Sequence, residues 1–166
     1  MKEVEDLIIR KLSSNDLNDF REIITQKEVA RMAGFAPVSS FASFYLSQML
    51  QNGAWGLVVN KKVVGVICIY DLPVKNGNKK TGEIGFILNQ NYWYRGYMSK
   101  AIEEICSRVK EDYSQIKAIT LVDNIASKKV LERNDFYFSE TIMDNDKEKK
   151  HIFKKPIKLL FALIKR

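Results

Sequence analysis

Residues 83–105, EIGFILNQNYWYRGYMSKAIEEI, combine a strand, a short polar loop and a helix. Ile84, Phe86 and Leu88 alternate with other residues, which places them on one face of a strand, and after Gly96 the apolar residues recur at helical spacing. A glycine at the start of a helix lets several main-chain N–H groups point to one spot, where the helix dipole attracts an anion. We therefore expect a phosphate-binding turn around Gly96. The alternative is a glycine that only permits a tight turn.

Several other classes of site lack their sequence signatures. Neither G-x-G-x-x-G nor G-x-x-x-x-G-K-[ST] occurs, which argues against a dinucleotide-binding fold and a P-loop NTPase. One histidine, His151, and no C-x-x-C pair argue against zinc chemistry and a Ser-His-Asp triad. Cys68 and Cys106 lie among apolar residues, so we expect buried, inert thiols and no metal site.

Length and composition predict a single domain spanning residues 1–166. Hydrophobic residues make up 46% of the chain and charged residues 28%, which excludes collagen-like and disordered proteins. The longest apolar run, Val63–Tyr70, is too short for a membrane span, and the start MKEVEDL lacks the features of a secretory signal. We expect a cytoplasmic protein that does not bind membranes.

The formal net charge of +7 is concentrated at the C-terminal end of the chain. Residues 147–166 contain eight basic residues and one acidic residue, so the preceding part is neutral overall. The simplest interpretation is a last strand at Ile157–Ile164 after a solvated turn at Lys147–Lys155. A contact with the ribosome or with nucleic acid is one alternative, and a membrane-surface segment is another.

The apolar patterning predicts seven strands and four helices. The predicted strands are 7–12, 54–59, 62–72, 82–88, 116–122, 136–143 and 157–164, and the helices begin near residues 17, 41, 96 and 127. Asn60-Lys61 is suited to a hairpin, and a polar turn is expected at Lys75–Lys80. The order β-α-α-β-β-β-α-β-α-β-β fits an α/β protein with one mixed sheet flanked by helices.

A second informative segment, ITLVDNIASKKVLERNDF, occupies residues 119–136. Together the two segments resemble the GNAT superfamily of acetyl-CoA-dependent N-acetyltransferases, most closely its ribosomal-protein-alanine-acetyltransferase-like branch. The resemblance covers nearly the whole chain in element order, and its specific part spans about residues 82–138. It implies a GNAT-like, mostly antiparallel sheet, acetyl-CoA as co-substrate and acetyl transfer to a primary amine.

The family's loop motif, Gln/Arg-x-x-Gly-x-Gly/Ala, corresponds to Tyr92–Met98. By this resemblance, main-chain amides of the loop and of the first helical turn hold the CoA pyrophosphate. The residues concerned are Tyr94, Arg95, Gly96, Tyr97, Met98 and Ser99. Phe86, Ile87 and Leu88, on the strand before the loop, are implied to contact the cofactor as well.

The second segment matches the family pattern Asn-x-x-Ser. By resemblance, Asn124 hydrogen-bonds the pantetheine arm or a water beside it, and Ser127 lies near the thioester sulfur. The alternatives are a turn residue at Asn124 and a helix N-cap at Ser127. Asp135 stands where the family has glycine, and Asp tolerates left-handed backbone geometry better than most residues.

Besides Asp135, four positions depart from the family pattern. Trp93 replaces Gln or Arg, Tyr94 replaces a glycine of this branch, and Met98 replaces a small residue, although Met98 also fits the apolar face of the helix. Leu131 stands where many relatives have a tyrosine that acts as an acid. The departures at Met98, Asp135 and Leu131 leave open a non-catalytic CoA-binding module, or a nucleic-acid or ribosome-binding module, on the same fold.

Acetyl transfer requires a neutral amine and a proton for the departing thiolate. We expect Glu83 to act as the base, directly or through water, with a solvated or ion-paired glutamate as the alternative. Ser127 is the candidate acid by resemblance, and solvent is the fallback. A main-chain N–H of the strand from Glu83 to Leu88 is expected to polarise the thioester carbonyl.

The acceptor amine is the least defined part of the prediction. Phe35, Phe41, Phe44 and Tyr45 lie in the region that often shapes the acceptor groove in this family, and we expect most of them in the core and one or two at the entrance. A protein N-terminus, such as that of a ribosomal protein, a polyamine and an aminoglycoside are all compatible with the sequence. A homodimer also stays open.

Overall fold

The computed structural model describes residues 6–74 and 80–157, which form seven strands and five α-helices. The strands are β1 (Ile8–Lys11), β2 (Trp55–Val59), β3 (Lys62–Asp71), β4 (Lys80–Leu88), β5 (Tyr113–Leu121), β6 (Tyr137–Met143) and β7 (Lys149–Pro156). The helices are α1 (Leu17–Ile24), α2 (Lys27–Ala33), α3 (Ala42–Gln51), α4 (Tyr97–Arg108) and α5 (Ile125–Arg133).

All seven strands belong to one sheet in the order β1-β2-β3-β4-β5-β7-β6. Neighbouring strands are antiparallel except β4 and β5, which pair in parallel. The hairpin between β2 and β3 turns at Asn60 and Lys61, both with positive φ, as a two-residue hairpin turn requires. The predicted α/β fold with a mixed, mostly antiparallel sheet is confirmed.

Helices cover both faces of the sheet and create two cores. On one face α4 and α5 pack through Ile102, Ile105 and Leu131, all fully buried. On the other face α1 contributes Phe20 and Ile23, which are also fully buried. The sheet can bury side chains on both faces because its strands in the middle are apolar on both sides.

Two parts of the predicted element order are wrong. A third helix, α2, follows α1 directly; it has only two buried apolar residues, Val29 and Ala30, so its pattern is too short to distinguish from the end of α1. The stretch Lys147–Lys155 is mostly strand β7 and not a solvated turn, because Ile152 and Phe153 are buried between β5 and β6.

The predicted last strand at Ile157–Ile164 starts with Ile157, which lies beyond the end of β7, and its other residues are outside the described ranges. Most of the predicted turn at Lys75–Lys80 is outside them too. Among the described helices, none has the length and apolar character needed to cross a membrane.

Candidate active site

A wedge between β4 and β5 creates the main cleft. The two strands pair only from Lys80 to Glu83 on β4 and from Tyr113 to Lys117 on β5. Within the described chain, the rest of β4 pairs with β3 alone and the rest of β5 with β7 alone. The resulting cleft has a volume of about 790 Å³ and is lined by β4, β5, α2 and the N-terminal turns of α4 and α5.

Alternate residues of β4 direct their main-chain N–H and C=O groups into this wedge, because the other residues hydrogen-bond to β3. Asn89 N donates to Val64 O and Leu72 N donates to Thr81 O, so the odd-numbered residues of β4 exchange hydrogen bonds with β3. The N–H and C=O groups of Phe86 and Leu88 therefore face the cleft, whereas those of Ile87 face β3. Trp93 Nε1 donates a hydrogen bond of 2.8 Å to Leu88 O, which leaves the N–H groups of Phe86 and Leu88 and the carbonyl oxygen of Phe86 directed to the cleft.

The first turn of α4 opens onto the cleft. Gly96 is its N-cap, with φ 79° in the left-handed region, and has no side chain that could cap the helix. The first N–H groups of a helix have no intrahelical acceptor, and the residues of this turn, from Gly96 to Ser99, line the cleft. The predicted phosphate-binding turn thus has the geometry of an anion site.

Tyr94 carries backbone strain at the same turn. Its φ is 60°, in the left-handed region where this branch of the family has glycine, and its side chain is 92% exposed. Arg95 lies over the ring of Tyr92 at 5.2 Å and donates to Asn91 O, and it is not part of the cleft wall. The other predicted cofactor residues of the loop and of α4 do line the cleft; these are Tyr94, Gly96, Tyr97, Met98 and Ser99.

Asn124 caps helix α5 at the edge of the cleft. Its Oδ1 accepts a hydrogen bond of 3.0 Å from Ser127 N, so Asn124 and not Ser127 is the N-cap. Asn124 is 8% exposed, and its Nδ2 makes no hydrogen bond within the described residues. Asn124 and Ser127 both line the cleft, so the structure brings together the two residues that the Asn-x-x-Ser motif indicated.

Glu83 lies where the strands separate. Its Oε2 is 3.2 Å from Lys117 Nζ on β5, and both side chains are partly buried. Glu83 also lines the cleft. The ion pair expected as the alternative is therefore present, and it leaves the carboxylate next to the space that an acceptor would enter.

Two residues of the cleft wall, Cys68 and Tyr70, have environments that keep them protonated. Cys68 is buried, and this burial raises the pKa of its thiol, which keeps it protonated and unreactive as expected. Burial also raises the pKa of Tyr70, whose hydroxyl donates to Met49 Sδ. Cys106, on the buried face of α4, is buried as well.

Two expectations about the departures from the family pattern are confirmed in and just after α5. Asp135 adopts the left-handed region with φ 62°, so the turn survives without glycine. Leu131 is fully buried in the core, so no acid occupies that position. Met98, 4% exposed, belongs to the same core and also reaches the cleft.

The sequence did not indicate two polar features in and beside the cleft, the side chains of Thr120 and Arg31. Thr120 on β5 is 7% exposed, and its Oγ1 is the one buried side-chain nitrogen or oxygen atom in the described chain that lacks a hydrogen-bond partner. Arg31 on α2 pairs with Glu28 and with Asp123, each at 3.0 Å, and joins α2 to the loop before α5. A threonine in a strand is ordinary, so the sequence did not mark Thr120. Because α2 was not predicted, the ion pairs of Arg31 could not be predicted either.

The four aromatic residues near the acceptor region differ from the expectation. Phe35 lines the cleft, as expected for a residue at the entrance. The prediction that most of the set is core is wrong for Phe41 and Phe44, which are 47% and 61% exposed. Phe35 and Tyr45 are partly buried against the core formed with α1 and α3.

Comparison with known proteins identifies the family. The model of the acetyltransferase (GNAT) domain matches residues 6–137. A GNAT-family acetyltransferase from Bacillus anthracis shares the fold with TM-score 0.77 and 19% identity over 92% of this chain and 95% of its own. No curated protein matches.

Two further solved structures have the same fold. An acetyl transferase from Salmonella typhimurium, described as modifying the N-terminal serine of ribosomal protein L7/L12, has TM-score 0.76 and 16% identity over 94% of this chain and 97% of its own. An aminoglycoside acetyltransferase in complex with coenzyme A has TM-score 0.74 and 14% identity over 91% and 95%. With the domain model matching most of the chain, the protein belongs to the GNAT family of acetyltransferases.

Proposed function

We propose that the protein transfers the acetyl group of acetyl-CoA to a primary amine in a ternary complex within the wedge. The observation that carries this proposal is the end of the β4–β5 ladder at Glu83, which leaves main-chain donors beside an uncapped helix N-terminus. Acetyl-CoA supplies an activated acyl group as a thioester.

The residues of the cleft fit the chemistry of the cofactor. The first-turn amides of α4 suit a diphosphate. The open edge of β4 at Phe86 suits an arm that contains amide groups, since such an arm can pair as a strand does. Asn124 Nδ2 is a donor without a partner within the described ranges, at the inner end of this path. These are the groups that we assign to cofactor binding, with Ile87 lining the cleft beside them.

Glu83 is the proposed base. It removes a proton from the acceptor ammonium, directly or through a water, and Lys117 holds its carboxylate at the point where the two strands separate. The N–H of Phe86 donates to the carbonyl oxygen as negative charge develops there. Ser127, in the first turn of α5, is the proposed proton donor to the departing thiolate; a thiolate is a weak base, so solvent can replace this donor.

The experiment is calorimetry with acetyl-CoA, followed by a thiol-release assay with a panel of amines. We expect binding of acetyl-CoA and thiol release that depends on the amine. An absence of binding contradicts the whole proposal. Binding without thiol release for any amine contradicts catalysis and leaves a CoA-binding module.

A further inference from the structure

The chain segment from the end of α2 to the hairpin between β2 and β3 carries no charged side chain. Residues 32–60 contain no Asp, Glu, Lys, Arg or His, although 28% of the whole chain is charged. This stretch includes α3, whose exposed positions are serine, glutamine and Phe44. Depletion of charge with exposed aromatic side chains is the composition of the centre of a binding interface.

The exposed aromatic side chains continue into the cleft. Phe35 lines the cleft, and its ring lies 4.6 Å from that of Tyr45. Tyr45 in turn contacts Phe44 at 5.7 Å and Phe41 at 6.2 Å. We call these four residues the aromatic patch. Phe35 therefore connects the cleft that contains Glu83 with the aromatic patch, and a molecule that leaves the cleft on this side passes over the patch.

The charges of the cleft do not suit a polycation. The carboxylates that line it are Glu28, Glu83 and Asp123. Glu28 and Asp123 both pair with Arg31, and Glu83 pairs with Lys117, so two cations offset three carboxylates. A polyamine or an aminoglycoside needs uncompensated negative charge for recognition, and these pairs remove most of it.

We infer that the acceptor is a polypeptide N-terminus followed by apolar residues, which pack on the aromatic patch. This inference rests on the proposed function, since it names the acceptor class for the same site. The free amine enters the wedge beside Glu83, and the side chains after it replace water on Phe41 and Phe44. Aromatic side chains in such positions commonly contribute most of the affinity of an interface.

The test uses three hexapeptides with the same free N-terminal serine. The next three residues are apolar in the first, serine and glutamine in the second, and lysine in the third; spermidine and kanamycin complete the panel. We expect kcat/KM for the apolar peptide to exceed that for the serine-glutamine peptide about tenfold, as burial of a few apolar side chains allows.

The variant F41S/F44S tests the surface itself. We expect it to lose the preference for the apolar peptide through a higher peptide KM, with unchanged kcat and acetyl-CoA affinity. The control Y137S/M143S removes two equally exposed apolar side chains from β6, away from the cleft wall, and should keep the preference. Retained binding of acetyl-CoA shows that each variant is folded.

Other outcomes overturn the inference. Equal kcat/KM for the three peptides, or a preference for spermidine or kanamycin, contradicts it while leaving the proposed function intact. So does a dimer of the wild type that F41S/F44S dissociates without a change in peptide kinetics, because a second copy would then cover the patch. If the wild type does not bind acetyl-CoA, the proposed function fails, and this inference fails with it.

Discussion

Gln26 Nε2 donates a 3.0 Å hydrogen bond to Asn89 Oδ1 and so joins the turn between α1 and α2 to the loop that precedes α4. Asn89 is fully buried, and its Nδ2 donates to Glu22 Oε1 while its Oδ1 also accepts from Asn91 N. Gln26 Oε1 accepts from Gln90 N in the same network. The loop beside the proposed anion site is therefore held from the opposite face of the sheet.

Asn89→Ala removes this support. We expect the free energy of unfolding to fall by about 2–3 kcal/mol, because the substitution removes the three hydrogen bonds of a fully buried amide and leaves Gln26 Nε2 without its acceptor. We also expect weaker binding of ADP, which probes the diphosphate site, in calorimetry below the unfolding temperature. Asn91→Ala is the control, since Asn91 contributes its main-chain N–H to the network. Unchanged ADP affinity in Asn89→Ala would limit Asn89 to a role in stability.

Glu83→Gln tests the proposed base. We expect kcat to fall about 100-fold or more, in the range of general base catalysis, with unchanged acetyl-CoA affinity. Lys117→Met breaks the same ion pair but keeps the carboxylate, so it should retain most of the turnover. The two variants are compared by thiol release and calorimetry. Equal losses in both would assign the effect to the ion pair, and unchanged turnover in Glu83→Gln would exclude Glu83 as the base.

Gly96→Ala tests the turn at the start of α4. An added Cβ meets no atom within 4 Å, but the φ of 79° is strained for alanine, so we expect a loss of stability of about 1 kcal/mol. Gly34 is a matched control, because its φ is 74° and an added Cβ also meets no atom within 4 Å. Both variants should melt at lower temperature. Only Gly96→Ala should bind ADP more weakly, and equal ADP affinities would place the diphosphate elsewhere.

Asp16 contributes a pH-dependent part of the stability. Its carboxylate accepts two hydrogen bonds from Arg10 and one from Ser13 N, and these contacts, Arg10 foremost, lower its pKa. The stabilisation is complete above the pKa of the unfolded chain, near 4, and is lost as the pH falls through the lower pKa of the folded state. Asp16→Asn should cost about 1–3 kcal/mol at pH 7.

Urea unfolding of wild type and Asp16→Asn at neutral and at acidic pH measures this difference. We expect the gap in the free energy of unfolding to narrow as the pH falls below about 4, because the wild-type carboxyl becomes neutral too. A gap that is constant with pH would assign the effect to packing and not to charge.

The local pattern predicted the strands and helices that carry a clear periodicity. Leu17, Phe20, Ile23 and Ile24 indicated α1, and the alternation from Ile84 to Leu88 indicated β4; both elements form as expected. In contrast, the segment Lys149–Pro156 is rich in lysine, and its burial depends on β5 and β6 on either side. Such tertiary effects have no signature in the segment itself.

The same distinction applies to the site. Gly96 was identified because helix starts need particular residue types, whereas Asn124 and Ser127 were indicated by their resemblance to the family's Asn-x-x-Ser pattern. The wedge was not predictable, because it depends on where pairing between Glu83 and Lys117 ends. The partner-free hydroxyl of Thr120 was not predictable either, since its environment comes from residues distant in the chain.

The end of the β4–β5 ladder has a consequence for how this enzyme diverges from its relatives. Much of the proposed binding of acetyl-CoA depends on main-chain N–H groups at Phe86 and in the first turn of α4. Every amino acid except proline supplies the same N–H. Evolution can therefore exchange side chains there, as Tyr94 illustrates, while the backbone path is retained. Chains that are 14% to 19% identical to this protein have the same fold. The preference for a particular acceptor can therefore change while the fold is retained.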